Sequence, residues 1–364
     1  MLSLLTLALL FTVFNQKKAK KEVIASNQFT SYNTPLVDVM PFDDLTNDSR
    51  GRMLSKGIRY QFLTELSQFQ MIRVRDVSDT EQQQKSKNLK KARYRVKGAL
   101  LAGEEQLQVT ILLQEVASSE ILWTKKVSVP ATDAGFNELM FEGIKGVMTK
   151  ISGPTGVMQL DAMSHLRDRL SEDKTGVTSS YECVLLFYDY DNTKNVNTEN
   201  EARQCLQEHT SKGVKNSTLW AVHGLMTLLD WTKRKDQSDD TLYNQSLVSF
   251  KKALTLDRNN AMAYKYYGDY YMVKERNDEA MKLYQKAMDL NPSKPDVLVS
   301  IGWNKVNLGN WEEGIKQVRE GVAMSYQPPV FFHIPLAVDA FRRNDYKESL
   351  KEAEIIFDGG DKRA

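Results

Sequence analysis

The chain reads as an α+β domain, a mixed sheet with helices, followed by an all-α domain of helical repeats. Three observations carry that reading. Short runs of alternating apolar character fill residues 35–130 and then stop, while two glycines, Gly268 and Gly302, lie 34 residues apart in matching surroundings. The composition, 364 residues with 41% hydrophobic and 26% charged side chains, is that of an ordinary globular protein long enough for two or three domains.

The elements follow in order. Leu2 to Phe14 is apolar apart from Ser3, Thr6 and Thr12, and it runs straight into Asn15, Gln16, Lys17, Lys18, Ala19, Lys20 and Lys21. At ~1.5 Å per residue this run spans about 20 Å, short of a ~30 Å hydrocarbon core, so it suits a signal-peptide core or a truncated anchor. A cleaved signal carries its positive charges before the apolar run and a small-x-small site after it. Here the order is reversed, and residues 1–21 are read as an uncleaved anchor with a basic flank, held in a bacterial inner membrane through residues 2–16. By the positive-inside rule, lysines on that side favour a cytoplasmic body. Residues 22–34 are polar and aperiodic, a tether.

From Pro35 a domain over residues 35–152 is expected. Leu36 to Met40 is a first strand, Asn47, Asp48 and Ser49 offer N-cap oxygens to a helix ending near Leu66, and Met71 to Arg75 is a second strand. A polar helix over Thr80 to Ala92 leads into three alternating runs, Tyr94 to Leu101, Gln106 to Glu115 and Glu120 to Val129, joined by turns short enough for an antiparallel meander. A helix from Ala134 to Ile151 bridges to the helical half, residues 153–357, with residues 358–364 as a tail.

In that half, counting from Ala261, Tyr264, Tyr267, Gly268, Tyr271, Ala280, Tyr284, Ala287 and Pro292 fall at positions 4, 7, 8, 11, 20, 24, 27 and 32. This resembles the 34-residue tetratricopeptide helix-turn-helix repeat, in which small residues sit where two antiparallel helices cross closely. A second copy starts at Pro295, with Leu298, Ile301, Gly302, Gly314 and Val318 at matching positions. A looser third has Ala337, Ser349 and Ala353, and upstream Gly224 and Ser246 play the same roles if the polar stretch from Trp231 to Asp240 is looped out. Such repeats stack and offer the first helices' concave face to partners. Positions 2, 5, 9 and 12 give Met262, Lys265, Asp269 and Met272, then Asp296, Val299, Trp303 and Val306, a groove for a protein or peptide. The plainer reading is that these residues pack against neighbouring repeats.

Enzyme signatures fail in turn. The histidines His165, His209, His223 and His333 are dispersed with no His-x-x-x-His spacing, and Gly153, Pro154, Thr155 and Gly156 lack the Gly-Lys-Ser/Thr ending of a phosphate loop. Asp43 with Asp44 and Asp239 with Asp240 are adjacent pairs that read as caps or loop acids. No catalytic, cofactor or metal residue is assigned. A net charge of +2 argues against direct nucleic-acid binding, and the basic run from Lys85 to Lys91 is a solvated helix face. Cys183 and Cys205, the only cysteines, fall on consecutive predicted helices at similar heights, so they suit a disulfide, two buried thiols or a redox switch, the last without a neighbouring feature in sequence that activates either thiol.

Pro41-Phe42, Leu45-Thr46, Gly57-Ile58, Leu63, Leu66-Ser67, Phe69 and Val74, then Val96, Gly98, Leu107, Val109, Leu113 and Leu122-Trp123, resemble the TolB amino-terminal-like domain. That domain precedes tetratricopeptide repeats in bacterial membrane-bound adenylate cyclases and membrane-spanning winged-helix transcription activators. Tyr181-Glu182-Cys183, Ala202-Arg203, Cys205-Leu206 and the stretch from His333 to Tyr346 are similar to their helical half, so the resemblance spans residues 35–357. It implies the extracytoplasmic, periplasmic half of a transmembrane regulator, against the basic flank, without the family's cyclase or DNA-binding part. The resulting expectation is a non-enzymatic, membrane-tethered sensor that binds a protein or small effector and forms a homodimer. The alternative is a scaffold or assembly factor for an envelope protein complex.

Overall fold

The computed structural model describes residues 34–46, 49–77, 91–172, 176–234, 236 and 238–358. The expected anchor over Leu2 to Phe14 and its basic flank, the tether before Thr34, and the helix expected from Thr80 lie outside the described residues, apart from Lys91 and Ala92.

Strands β1 (Leu36–Val39), β2 (Asp43–Asp44), β3 (Arg73–Asp76), β4 (Tyr94–Ala102), β5 (Gln106–Glu115) and β6 (Ile121–Pro130) form one mixed sheet. Its order is β3-β1-β4-β5-β6, with β2 beside β4, and β3 and β6 are the outer strands. β1 runs parallel to β3 and β4, whereas β4, β5 and β6 are an antiparallel meander. Alternation fixes the register: Tyr94, Val96 and Leu100 on β4 and Leu107, Val109, Ile111 and Leu113 on β5 are buried on one face. Helix α1 (Ser49–Ser67) lays Ile58, Phe62 and Leu66, spaced four apart, onto that face. Asp43 and Asp44, expected as caps or loop acids, pair with Ala99 and Leu100 as the short strand β2, and Asp44 Oδ1 also accepts the Thr46 N–H at 2.9 Å.

The helix expected from Ala134 to Ile151 comes in three pieces, α2 (Asp133–Glu138), a π-helical turn (Leu139–Gly143) and α3 (Ile144–Ser152). Leu139 and Ile144 are five residues apart yet both are buried in the sheet core. The wider turn brings that spacing onto one face. Thr132 caps α2 by accepting the Gly135 N–H at 3.1 Å.

Helix α4 (Val157–Ser171) carries the chain from one core to the other. Val157 and Met158 belong to the sheet core, Ala162 and Leu166 to the helical one. Helical hairpins follow: α5 (Ser180–Thr193) with α6 (Val196–Ser211), α7 (Ser217–Thr232) with α8 (Thr241–Leu256), α9 (Ala261–Met272) with α10 (Asn277–Leu290) and α11 (Pro295–Asn307) with α12 (Trp311–Met324). A 3-10 turn (Val330–His333) then enters the pair α13 (Ile334–Arg342) and α14 (Tyr346–Asp358). The helical half is thus a stack of tetratricopeptide-like repeats. Trp231, placed by the sequence in a loop, is buried at the end of α7, so the looped-out stretch begins after Thr232.

Buried asparagines stitch the stack. Asn216 caps α7 by accepting the Leu219 N–H and donates back to Ser180 Oγ at 2.8 Å; Asn260 caps α9 and donates to Ser217 Oγ at 2.8 Å. Each cap thereby ties its hairpin to the preceding one. The next asparagine, Asn291, donates instead to the Gln68 carbonyl at 3.2 Å, and Thr149 Oγ1 donates to the Ser293 carbonyl at 2.9 Å. These bonds fasten the fourth hairpin to the sheet domain.

The expected inner-membrane placement with a periplasmic body is corrected. Among the described residues no helix is long and apolar enough to cross a membrane. α1, the longest at 19 residues, carries Arg52, Lys56, Arg59 and Glu65, and the more apolar α7 has 16 residues. At ~1.5 Å per residue the latter spans about 24 Å, below the ~30 Å a bilayer core demands.

Candidate functional site

The segment from Pro329 to Pro335 lies against the first helices of the hairpins, where Phe331 and its neighbours wall off space beside α7, α9 and α11. Two adjoining cavities result, of about 260 and 250 Å³. Leu225 and Leu229 of α7, Lys265 and Asp269 of α9, and Phe331 line both. The first extends to Tyr188, Asp191 and Lys194 of α5 and to Pro295 and Asp296 at the start of α11; the second extends to Met272, Val299 and Trp303.

Of the residues expected to line the groove, Lys265, Asp269 and Asp296 therefore meet at the first cavity, and Lys265, Asp269, Met272, Val299 and Trp303 at the second. Met262 is 2% exposed and its sulfur accepts the Tyr188 hydroxyl at 3.1 Å, while Val306 is buried against the α12 backbone at Gly314. These two line neither cavity. Leu225 and Leu229 were missed, although counting the repeat back to Gly224 puts Leu225 at position 9. Phe331 gave no periodic signal because it sits in a 3-10 turn.

Lys265 is the charged centre. Its Nζ lies 2.7 Å from Asp269 Oδ2, and its side chain is only 7% exposed. Tyr284 donates to the other oxygen of Asp269 at 2.8 Å, and the Tyr266 and Phe331 rings lie 5.0 and 5.7 Å from Nζ. Burial pushes the Lys265 ammonium down, but Asp269, Asp296 and Asp191 together outweigh it and hold the group above the ordinary lysine value. It stays charged. Asp296 Oδ1 sits 3.4 Å from Lys294 Nζ, within ion-pair reach, yet it makes no hydrogen bond although it is buried. Burial raises the Tyr266 hydroxyl well above the ordinary tyrosine value, and the Tyr188 hydroxyl lies 2.9 Å from it.

Away from the cavities, Cys183 on α5 and Cys205 on α6 are joined as a disulfide with Cα atoms 5.4 Å apart. His209, one turn beyond Cys205, sets its Nδ1 beside both sulfurs. Asp239 accepts the Thr241 N–H at 2.9 Å and Asp240 pairs with Lys274 at 2.9 Å, so that acidic pair diverges.

No protein-family model and no curated protein sequence matches the chain. Solved structures do. MamA is 16% identical, with 48% of this chain and 95% of MamA covered at a TM-score of 0.30. TTC0263, a thermophilic tetratricopeptide protein of Thermus thermophilus, is 15% identical over 53% of this chain and 90% of its own, at 0.37. A chain of the APC/C Cut9–Hcn1 hetero-tetramer is 15% identical over 62% and 40%, at 0.41. At such superposition values the repeat assignment rests on the chain's own geometry.

Proposed function

We propose that the protein is an interaction scaffold that captures a partner's polypeptide segment on the concave face of its helical stack. The observation that carries this reading is the pair of adjoining apolar cavities whose shared lining includes the buried Lys265–Asp269 pair. Two apolar spaces side by side, with a charged pair in their shared lining, suit neighbouring apolar side chains of one bound segment. The polar backbone between those side chains then meets the ion pair. On this reading the sheet domain, TolB amino-terminal-like in its Phe42, Gly98 and Leu122-Trp123 positions, orients the stack through Gln68 and Thr149, and the work done is assembly of a protein complex.

A photo-crosslinking amino acid at Leu229, with a control at Val248, 65% exposed and outside both cavities, tests the proposal in the native host. The expected product is one partner segment joined at position 229 and absent at 248. Crosslinks confined to position 248 would reject the concave site.

On the same reading a homodimer forms through the hairpin of α13 and α14. Val338 and Phe341 of α13 and Tyr346, Leu350 and Phe357 of α14 are exposed, and the Phe341 and Tyr346 rings meet at 5.8 Å. Sedimentation of Phe341→Glu against the parent protein tests it, the parent showing concentration-dependent dimers and the variant none.

A further inference from the structure

We infer that reduction of the Cys183–Cys205 disulfide creates a zinc site whose ligands are Cys183 Sγ, Cys205 Sγ and His209 Nδ1. This goes beyond the scaffold reading and does not depend on it. Among the described residues these three side chains form the one group of potential ligand atoms gathered within 4.8 Å. Cys205 and His209 are four residues apart on α6 and so share one face of that helix, and Cys183 faces them from α5.

The distances fit the ion. Zn–S bonds of about 2.3 Å and Zn–N bonds of about 2.0 Å at tetrahedral angles require S···N separations of about 3.5 Å and an S···S separation of about 3.8 Å. His209 Nδ1 already lies 3.2 Å from Cys183 Sγ and 3.9 Å from Cys205 Sγ, values that bracket the requirement. Once the S–S bond is cleaved, the two sulfurs have only to part, which side-chain rotation on helices with Cα atoms 5.4 Å apart permits. Both cysteines are buried, so competing ligands reach them poorly, whereas His209 is half-buried and leaves an approach for the ion and for a water in the fourth position.

The chemistry balances. A dithiol reductant gives two electrons and two protons to the Cys183–Cys205 bond and leaves as its own disulfide. Zinc then displaces the two thiol protons, and the imidazole proton resides on Nε2 so that the Nδ1 lone pair faces the metal. In the oxidised state the same Nδ1 lies 3.0 Å from the Cys205 carbonyl, to which an Nδ1–H donates. Oxidation state therefore selects between a covalent staple and a metal-held one at the same place in the stack. Cys205 and His209 pass unnoticed in a search for His-x-x-x-His spacing, although Cys-x-x-x-His presents ligands in the same way.

Cobalt(II) titration of the full chain tests this, because cobalt replaces zinc with visible spectra. The reduced protein should bind one equivalent, with a sulfur-to-cobalt charge-transfer band and the intense visible bands of a tetrahedral site, and excess zinc should erase both. The oxidised protein and the doubly substituted Cys183→Ser, Cys205→Ser protein should show neither. His209→Ala should weaken binding at least tenfold, with His209→Asn, which keeps the polar surface, behaving alike. A reduced chain that gives no charge-transfer band, that loses its helical circular dichroism before cobalt is added, or whose band is undiminished in both His209 variants overturns the assignment.

Discussion

Hairpins α9/α10 and α11/α12 occupy consecutive periods of one repeat, yet they close by different means. In the first, Gly268 opens room for a ring: a Cβ there would stand 2.4 Å from Tyr284, which is fully buried and whose hydroxyl holds Asp269. In the second, glycine meets glycine. A Cβ on Gly302 would lie 2.5 Å from the Gly314 carbonyl oxygen, and one on Gly314 equally close to that of Gly302. The same sequence position thus serves a polar, ionisable joint in one hairpin and direct backbone contact in the next. The joint with the tyrosine is the one beside the cavities, where Tyr284 holds the Asp269 that pairs with Lys265.

The sharpest break between the two is steric. Gly302→Ala pushes on backbone that cannot rotate away and should destabilise the protein by about 3 kcal/mol, read from urea unfolding midpoints. Gly268→Ala pushes on a side chain, and helix propensity returns part of the loss, so about 1.5 kcal/mol is expected. Equal costs would abolish the distinction. A double-mutant cycle of Gly268→Ala with Tyr284→Leu should show coupling of about 1 kcal/mol, since the smaller side chain relieves the clash, and additive costs would place the strain elsewhere.

Comparable with that coupling is Tyr284→Phe, which removes one hydrogen bond to Asp269 and should cost about 1 kcal/mol. The least effect is in pH. Burial, followed by Asp269, raises the Tyr284 hydroxyl well above the ordinary value. The unfolded chain therefore sheds this proton above about pH 10 while the folded chain keeps it, so the contribution is complete below that pH and is lost as pH rises. The stability of Tyr284→Phe should fall less steeply than that of the parent between about pH 9.5 and about 11. Parallel slopes would show that this hydroxyl does not titrate on unfolding.

Much of the architecture is legible because it is periodic. Alternation from Tyr94 to Glu115 states which side chains face the core, and the spacing from Tyr264 to Pro292 places a hairpin without knowledge of its neighbours. The candidate site is legible only in part. Lys265, Asp269 and Trp303 follow from position in the repeat, but the same rule brings in Met262 and Val306, which pack inside. A helix face is wide, and which edge of it meets solvent depends on how the next hairpin rolls against it. Phe331 and the segment around it lie outside any period, and β2 at Asp43 and Asp44 is created by its neighbour β4 rather than by strand propensity. The apolar segment at Leu2 to Phe14 carries a local signal but lies outside the described residues, and no helix among those described is long and apolar enough to cross a membrane.

The meander, the close helix crossings at Gly268 and Gly302 and the apolar faces are written in the sequence, because each joins residues of one element or of two consecutive elements linked by a short turn. Tertiary structure alone decided that Phe331 lies against the first helices of the hairpins, that Asn291 turns from the stack to the sheet domain, and that His209 comes to rest beside two sulfurs. The reason is physical. Periodicity encodes which side of an element is apolar, whereas the meeting of residues from separate elements depends on the packing of everything between them.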